Sequence, residues 1–236
     1  MNNPFDFFDK IFCLNLDRRP DRWEICIENF KKLGIEDKVT RIKAIDYLEH
    51  PHVPNEHKGK FGCVHSHLEM ARYSKEQGYK NYLVLEDDFH IHAPVETIND
   101  TLSKCIEELP EDWDIFYPSA NPLEHPKAIE DFSENLCKVL LTFSTHTVAI
   151  NHTAYDDILA GANDNAQILN LLPAIVSKFI NIDGYFMGVV LPKRMSYMAK
   201  KLMFTQRNSY SDVDLCSRDI NNIIVEQYKK FDLLEI

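Results

Sequence analysis

The sequence predicts an α/β fold built on a mixed, mostly parallel central sheet, and three observations carry that prediction. Short apolar, β-compatible runs occur at residues 11–16 and 82–85, lengths that suit buried strands. Between and after them, apolar residues recur at helical spacing, first at Trp23, Cys26, Ile27, Phe30 and Leu33, later at Val95, Ile98, Leu102, Cys105, Ile106 and Leu109. The opening elements alternate as strand, helix, strand, the unit that seeds a parallel sheet. With 236 residues and 44% hydrophobic content the chain has room for a real core. It shows no internal repeat, low-complexity tract or linker, so residues 1–236 are expected to form one domain.

Taken in order, the run at 11–16 leads into Asp17, Arg18, Arg19, Pro20, Asp21 and Arg22. Pro20 suits the first turn of a helix, Asp21 and Glu24 suit its positive end, and Gly34 supplies its stop. A second strand is expected around residues 40–45. Residues 46–60 hold His50, Pro51, His52, Pro54 and His57 without periodicity; they predict a loop, mobile over a site, with no regular metal-ligand spacing. A helix opening near Gly62 carries Val64, Leu68 and Ala71 on one face. It places Ser66 and His67 near its N-terminus, where free N–H groups favour an anion or a polar nucleotide edge. The alternative is that Ser66 caps the helix and His67 is a satisfied buried histidine.

The stretch that organises the chain is residues 81–88, an apolar strand that stops at Glu86, Asp87 and Asp88. Ligands of open α/β sheets bind at the carboxyl ends of strands. Three carboxylates there repel one another unless a cation or a metal–polyphosphate complex neutralises them. Hard oxygen donors select Mg²⁺ or Mn²⁺ over zinc. The plain alternative is an acidic, solvated loop. His90 and His92, which follow, alternate as strand or loop residues.

Beyond the helix that starts at Pro94, a strand is expected at 114–117. Residues 118–134 make a polar connection and candidate flap, and two strands follow at 138–144 and 146–150, paired as a hairpin. A helix is expected around 153–160, and another helical stretch is interrupted by Pro173. Asp183 stands between apolar residues just before Gly184, and a last strand covers 194–203. Ile220, Ile223, Ile224 and Tyr228 share one face of a C-terminal helix.

Net charge and cysteine usage narrow the class. A formal charge of −11 argues against nucleic acid and anionic membranes as partners. The six cysteines, Cys13, Cys26, Cys63, Cys105, Cys137 and Cys216, form no Cys-x-x-Cys pair and fit free thiols in a reducing compartment. No run reaches eighteen apolar residues, and residues 1–10 lack a signal-peptide pattern. The expectation is a soluble, cytoplasmic protein without an integral membrane segment.

Four blocks in order carry a resemblance: residues 14–22, the Gly62–Cys63–Val64–His65–Ser66–His67 segment, residues 84–88, and Ile182 and Asp183 with Gln206, Ser211 and Asp212. Together they resemble glycosyltransferase family 25, which includes bacterial lipooligosaccharide galactosyltransferases and collagen hydroxylysine glycosyltransferases. The resemblance spans most of the chain. It implies a GT-A-type, Rossmann-like domain that uses a UDP-sugar donor, Mn²⁺ or Mg²⁺, and a glycan or protein hydroxyl as acceptor. Glu86-x-Asp88 stands where such enzymes carry Asp-x-Asp, with Glu in the first place. By that resemblance Asp88 is a metal ligand, and Glu86 a second one or, with Asp87, a contact to the ribose or a metal-bound water. Asn15, Leu16, Arg18 and Arg22 fall where the family binds the nucleotide, with Ser66 and His67 completing that set. Arg18 and Arg22 have the ordinary alternative of helix-face salt bridges. Gln206 is the one nearby match for a third ligand, and that role stays open. Asp183 is the candidate general base of an inverting transfer, its rival role being a helix cap.

Two other functions fit the same acids. One is a metal-dependent hydrolase or phosphotransferase acting on nucleotide sugars, although the Gly-x4-Gly-Lys-Ser/Thr loop of P-loop enzymes is missing. The other is a non-catalytic binding module of the same fold.

Overall fold

The computed structural model describes residues 3–48, 55–160, 181–217 and 219–233. The predicted helical stretch around Pro173 and residues 49–54 of the histidine loop, including His50 and His52, lie outside them. After a short 3-10 turn, the chain forms β1 (Lys10–Asn15), α1 (Pro20–Leu33) and β2 (Val39–Lys43). Gly34 ends α1 as expected, with φ +66° and its N–H turned back to the Phe30 and Lys31 carbonyls. Then come α2 (Lys58–Gln77), β3 (Asn81–Glu86), β4 (Phe89–Ile91) and α3 (Val95–Glu108). Short strands follow: β5 (Ile115–Tyr117), β6 (Asn121–Pro122), β7 (Ile129–Asp131), β8 (Leu136–Val139), β9 (Thr142–Phe143) and β10 (Thr147–Asn151). The end of the chain holds α4 (Ile182–Tyr185), β11 (Ser196–Ala199), β12 (Phe204–Gln206), β13 (Tyr210–Ser211), β14 (Cys216–Ser217) and α5 (Ile220–Lys230).

Eight strands form one sheet in the order β2-β1-β3-β10-β5-β11-β8-β7. All but β10 and β8 run the same way, so the sheet is mixed and mostly parallel. One core, with Phe12, Val84, Leu68 and Tyr228, fills the α2 and α5 face; another, with Cys26, Phe30, Leu83 and Leu102, fills the α1 and α3 face. Alternate residues of β3 feed the two, as strand geometry requires.

Five expectations need correction. Helix α2 begins at Lys58 and not near Gly62, because its glycines serve close approach and do not break it. A Cβ at Gly59 would lie 1.9 Å from the Asp212 carbonyl oxygen, and one at Gly62 would lie 2.3 Å from that of Ile45. The segments at 138–144 and 146–150 do not pair as a hairpin. Ser144 takes φ +72°, β9 peels off to pair with β6, and β10 inserts between β3 and β5. The connection at 118–134 is partly structured, since β7 forms the sheet edge beside β8. The last predicted strand, 194–203, is the shorter β11 in the main sheet, and it is not the last, since β12 follows it and pairs with β4. On α5 the buried face is Ile224 and Tyr228, with Ile223 42% exposed.

Candidate active site

At the carboxyl end of β3 the three acids part company. Strand alternation sends Glu86 toward α2 and Asp87 toward α1. Asp87 meets a buried set of partners: Arg22 Nη1 donates to Oδ1 at 2.6 Å and Asn15 Nδ2 donates to Oδ2 at 2.7 Å. Desolvation still keeps the Asp87 carboxyl above its ordinary value, with Arg22 and Asn15 pulling the other way. Arg41 donates twice to Asn15 Oδ1, so both ends of that amide are spoken for. Arg22 therefore makes neither a helix-face pair nor an open anion contact. It lies on the inward stripe of α1 with Cys26, Asn29, Phe30 and Leu33.

Arg18 has a different surround. Its Nε donates to Asp46 and its Nη1 to Asp212, at 2.6 and 2.7 Å. Arg19 Nη1 reaches the other Asp212 oxygen at 2.8 Å, and Arg22 Nη2 donates to Ser209 Oγ and the Tyr210 carbonyl. The segment 209–212 is thus strapped across the β1–α1 turn by three arginines. Beneath it lies a cavity of about 310 Å³, lined by Leu16, Arg18, Tyr47, Glu86, Asp88 and Tyr210 among others.

Glu86 accepts from His67 Nε2 at 3.1 Å and from Thr145 Oγ1 at 2.7 Å, both on Oε1. Burial pushes its carboxyl up, but these hydrogen bonds and the neighbouring imidazole outweigh that and hold it below the ordinary value. Asp88 has weaker support. Gln206 Nε2 sits 3.4 Å from both of its oxygens. Burial and repulsion from Glu86 and Asp87 raise its carboxyl to about 7. A carboxylate so raised is one that an added cation would neutralise. Asp88, with the Glu86 Oε2 atom that these hydrogen bonds leave uncommitted, therefore suits a hard divalent ion. Gln206 stands beside Asp88 through its amide nitrogen, which leaves its oxygen on Ser144 Oγ at 3.0 Å.

Glu86 and Asp88 also face a second cavity of about 350 Å³, lined by Asp183, Asn181, Ser144, Thr145, Phe143, Arg207 and Ile223 among others. Asp183 does not cap its helix. Asn181 does, its Oδ1 accepting from the Gly184 N–H at 2.8 Å. Among the described residues Asp183 Oδ1 has no hydrogen-bond partner. Burial and then repulsion from Glu86 raise the carboxyl to about 7, eased by the Ser144 backbone N–H.

The expectation for Ser66 and His67 changes with the start of α2. Both lie in its third turn, away from the free N–H groups. Ser66 Oγ donates to the Gly62 carbonyl at 2.6 Å and accepts from the Ile45 N–H at 2.9 Å, tying α2 to the end of β2. His67, 3% exposed, hydrogen-bonds Glu86. Sequence reasoning missed Asn181, Thr145, Cys63 and Arg207 as parts of the site. Arg207 Nη2 donates to the Asp87 carbonyl at 2.8 Å. Asn181 had a signal, an Asx residue three before Gly184, that Asp183 overshadowed.

The model of Glycosyltransferase family 25 (LPS biosynthesis protein) matches residues 8–214. Procollagen galactosyltransferase 1 of Danio rerio is 26% identical over 129 residues, 47% of this chain. The matched part is 21% of that longer protein. A crystal structure of a glycosyltransferase involved in glycosylating the major capsid of PBCV-1 is similar with a TM-score of 0.53 and 9% identity, covering 95% of this chain and 98% of that one. At that identity the likeness is one of fold, and the fold is GT-A-type.

Proposed function

The chain belongs to glycosyltransferase family 25, and from that premise we propose an inverting, Mn²⁺-dependent (or Mg²⁺-dependent) transfer of a hexose from a UDP-sugar to a hydroxyl of a glycan or protein acceptor. The observation that carries the proposal is the pair of cavities that meet at Glu86 and Asp88, with Asp183 in the second, its buried Oδ1 without a hydrogen-bond partner among the described residues. The first cavity, under the 209–212 strap, takes the nucleotide. The second takes the acceptor. A divalent ion on Asp88 and Glu86 would supply Lewis-acid neutralisation of the departing diphosphate.

The protein's own groups do the rest. Asp183 accepts the acceptor hydroxyl proton as that oxygen bonds to the anomeric carbon and the bond to the diphosphate breaks. A carboxyl raised to about 7 suits this, because a base works best with a pKa near the working pH. Inversion requires base and leaving group on opposite sides of the sugar, which two cavities on either side of the acids allow. Asp87, Arg22 and Asn15 hold the acids in register from beneath, and Leu16 and Arg18 wall the nucleotide side. Eight of the fourteen described strands share one sheet, which supports treating residues 1–236 as one catalytic domain. No described helix is long and apolar enough to cross a membrane; a cytoplasmic site of action is part of the proposal.

The test is a panel of UDP-hexoses incubated with the protein and Mn²⁺, with UDP release measured. Metal-dependent release from one or a few donors, stopped by chelation, is expected. Cleavage indifferent to the sugar would favour a hydrolase, and UDP retained without turnover would favour a binding module.

A further inference from the structure

Beside the hard-oxygen pair lies a donor set of different chemistry. Cys63 and His67 stand four residues apart on α2 and so share a face, and β3 delivers Glu86 against them. Cys63 Sγ, a His67 ring nitrogen and a Glu86 oxygen all lie within 4.8 Å of one another. His67 Nε2 and Glu86 Oε1 are already 3.1 Å apart. Sulfur, nitrogen and oxygen bound tetrahedrally to zinc at 2.0–2.3 Å sit about 3.3–3.6 Å from each other. Binding zinc would draw the set in to that spacing. Cys63 is half-buried and lines both cavities, so an ion and a water as fourth ligand reach it from solvent.

We propose that Cys63, His67 and Glu86 form a binding site for a thiophilic divalent cation, zinc above all, separate from the Asp88-centred position. Thiolate and imidazole favour zinc over Mn²⁺ and Mg²⁺. Burial, joined by the negative potential of Glu86, Asp183, Asp88 and Asp214, keeps the proton on the Cys63 thiol. That same potential attracts a dication, and the thiol gives up its proton to solvent as the sulfur–metal bond forms. Glu86 is common to both positions, so zinc seated here withdraws a ligand from the hard ion and opposes Mn²⁺-dependent binding of UDP. The site itself stands whether or not the chain transfers sugar.

The full chain, free of nucleotide, is titrated with Co²⁺ as a spectroscopic substitute and then with Zn²⁺. One Co²⁺ per chain with a thiolate-to-cobalt charge-transfer band, displaced by Zn²⁺, is expected. Cys63→Ser loses the band and His67→Asn binds at least about tenfold more weakly, whereas Cys216→Ser keeps both. Absence of a thiolate band in the unaltered chain, or its survival in Cys63→Ser, overturns the proposal; the first needs no variant to fold. UDP binding in Mn²⁺ alone, measured in parallel, reports on the transferase reading independently. With Zn²⁺ added, that binding is expected to weaken, and no change would overturn the shared role of Glu86.

Discussion

Arg22 Nη1 lies 2.6 Å from Asp87 Oδ1 with both side chains buried, so the central acid of the triplet is held by an ion pair at the wall of the first cavity, which all three acids line. Removing one member of such a pair strands a charge. Arg22→Met is expected to lower stability by about 3–5 kcal/mol, read from denaturant or thermal unfolding. A loss under about 1 kcal/mol would show that Asp87 is solvated and free to bind ligand.

The strap over the first cavity rests on a glycine. Gly59→Ala puts a Cβ 1.9 Å from the Asp212 carbonyl oxygen, and backbone cannot yield as a flexible side chain does. A cost of about 1–3 kcal/mol is expected, with weaker UDP binding as segment 209–212 lifts. Unaltered affinity would detach the strap from the nucleotide site.

Asp183→Asn removes the proposed base and keeps the side-chain shape. Transfer, or donor hydrolysis where no acceptor is known, should fall about 10²–10⁴-fold while UDP affinity in Mn²⁺ changes little. Near-normal turnover would move the base elsewhere.

The raised carboxyls give a stability profile with a definite sign. Asp88 and Asp183 are both raised to about 7 in the fold, against about 4 in an unfolded chain. Between those values the folded state binds more protons, so stability falls as pH rises from about 4 to about 7 and then levels. Without metal, the melting temperature should be higher at pH 5 than at pH 8, and Mn²⁺ should raise it at pH 8. At a hundredfold excess over Kd the gain is about 2.7 kcal/mol. Asp183→Asn should flatten the slope.

Much of this architecture is legible in the residues themselves. The apolar runs at β1 and β3, the stripe of α1 and the Gly34 stop give the β-α-β start directly, because local periodicity and burial coincide there. The acids at the end of β3 mark the site for the same reason. What escapes is set by distant contacts. Nothing local to 138–150 says that β10 will insert between β3 and β5. The glycines of α2 look like breakers until Asp212 and Ile45 are seen against them. Arg22 reads as a surface charge because its inward partner, Asp87, is 65 residues away.

The measurement that bears most directly on the central claim is calorimetric titration of UDP into the unaltered protein and Asp88→Ala, each with Mn²⁺ and with chelator. The account predicts binding that requires Mn²⁺ in the unaltered protein and vanishes in Asp88→Ala. Equal affinity in the two proteins, or binding indifferent to the metal, would contradict it.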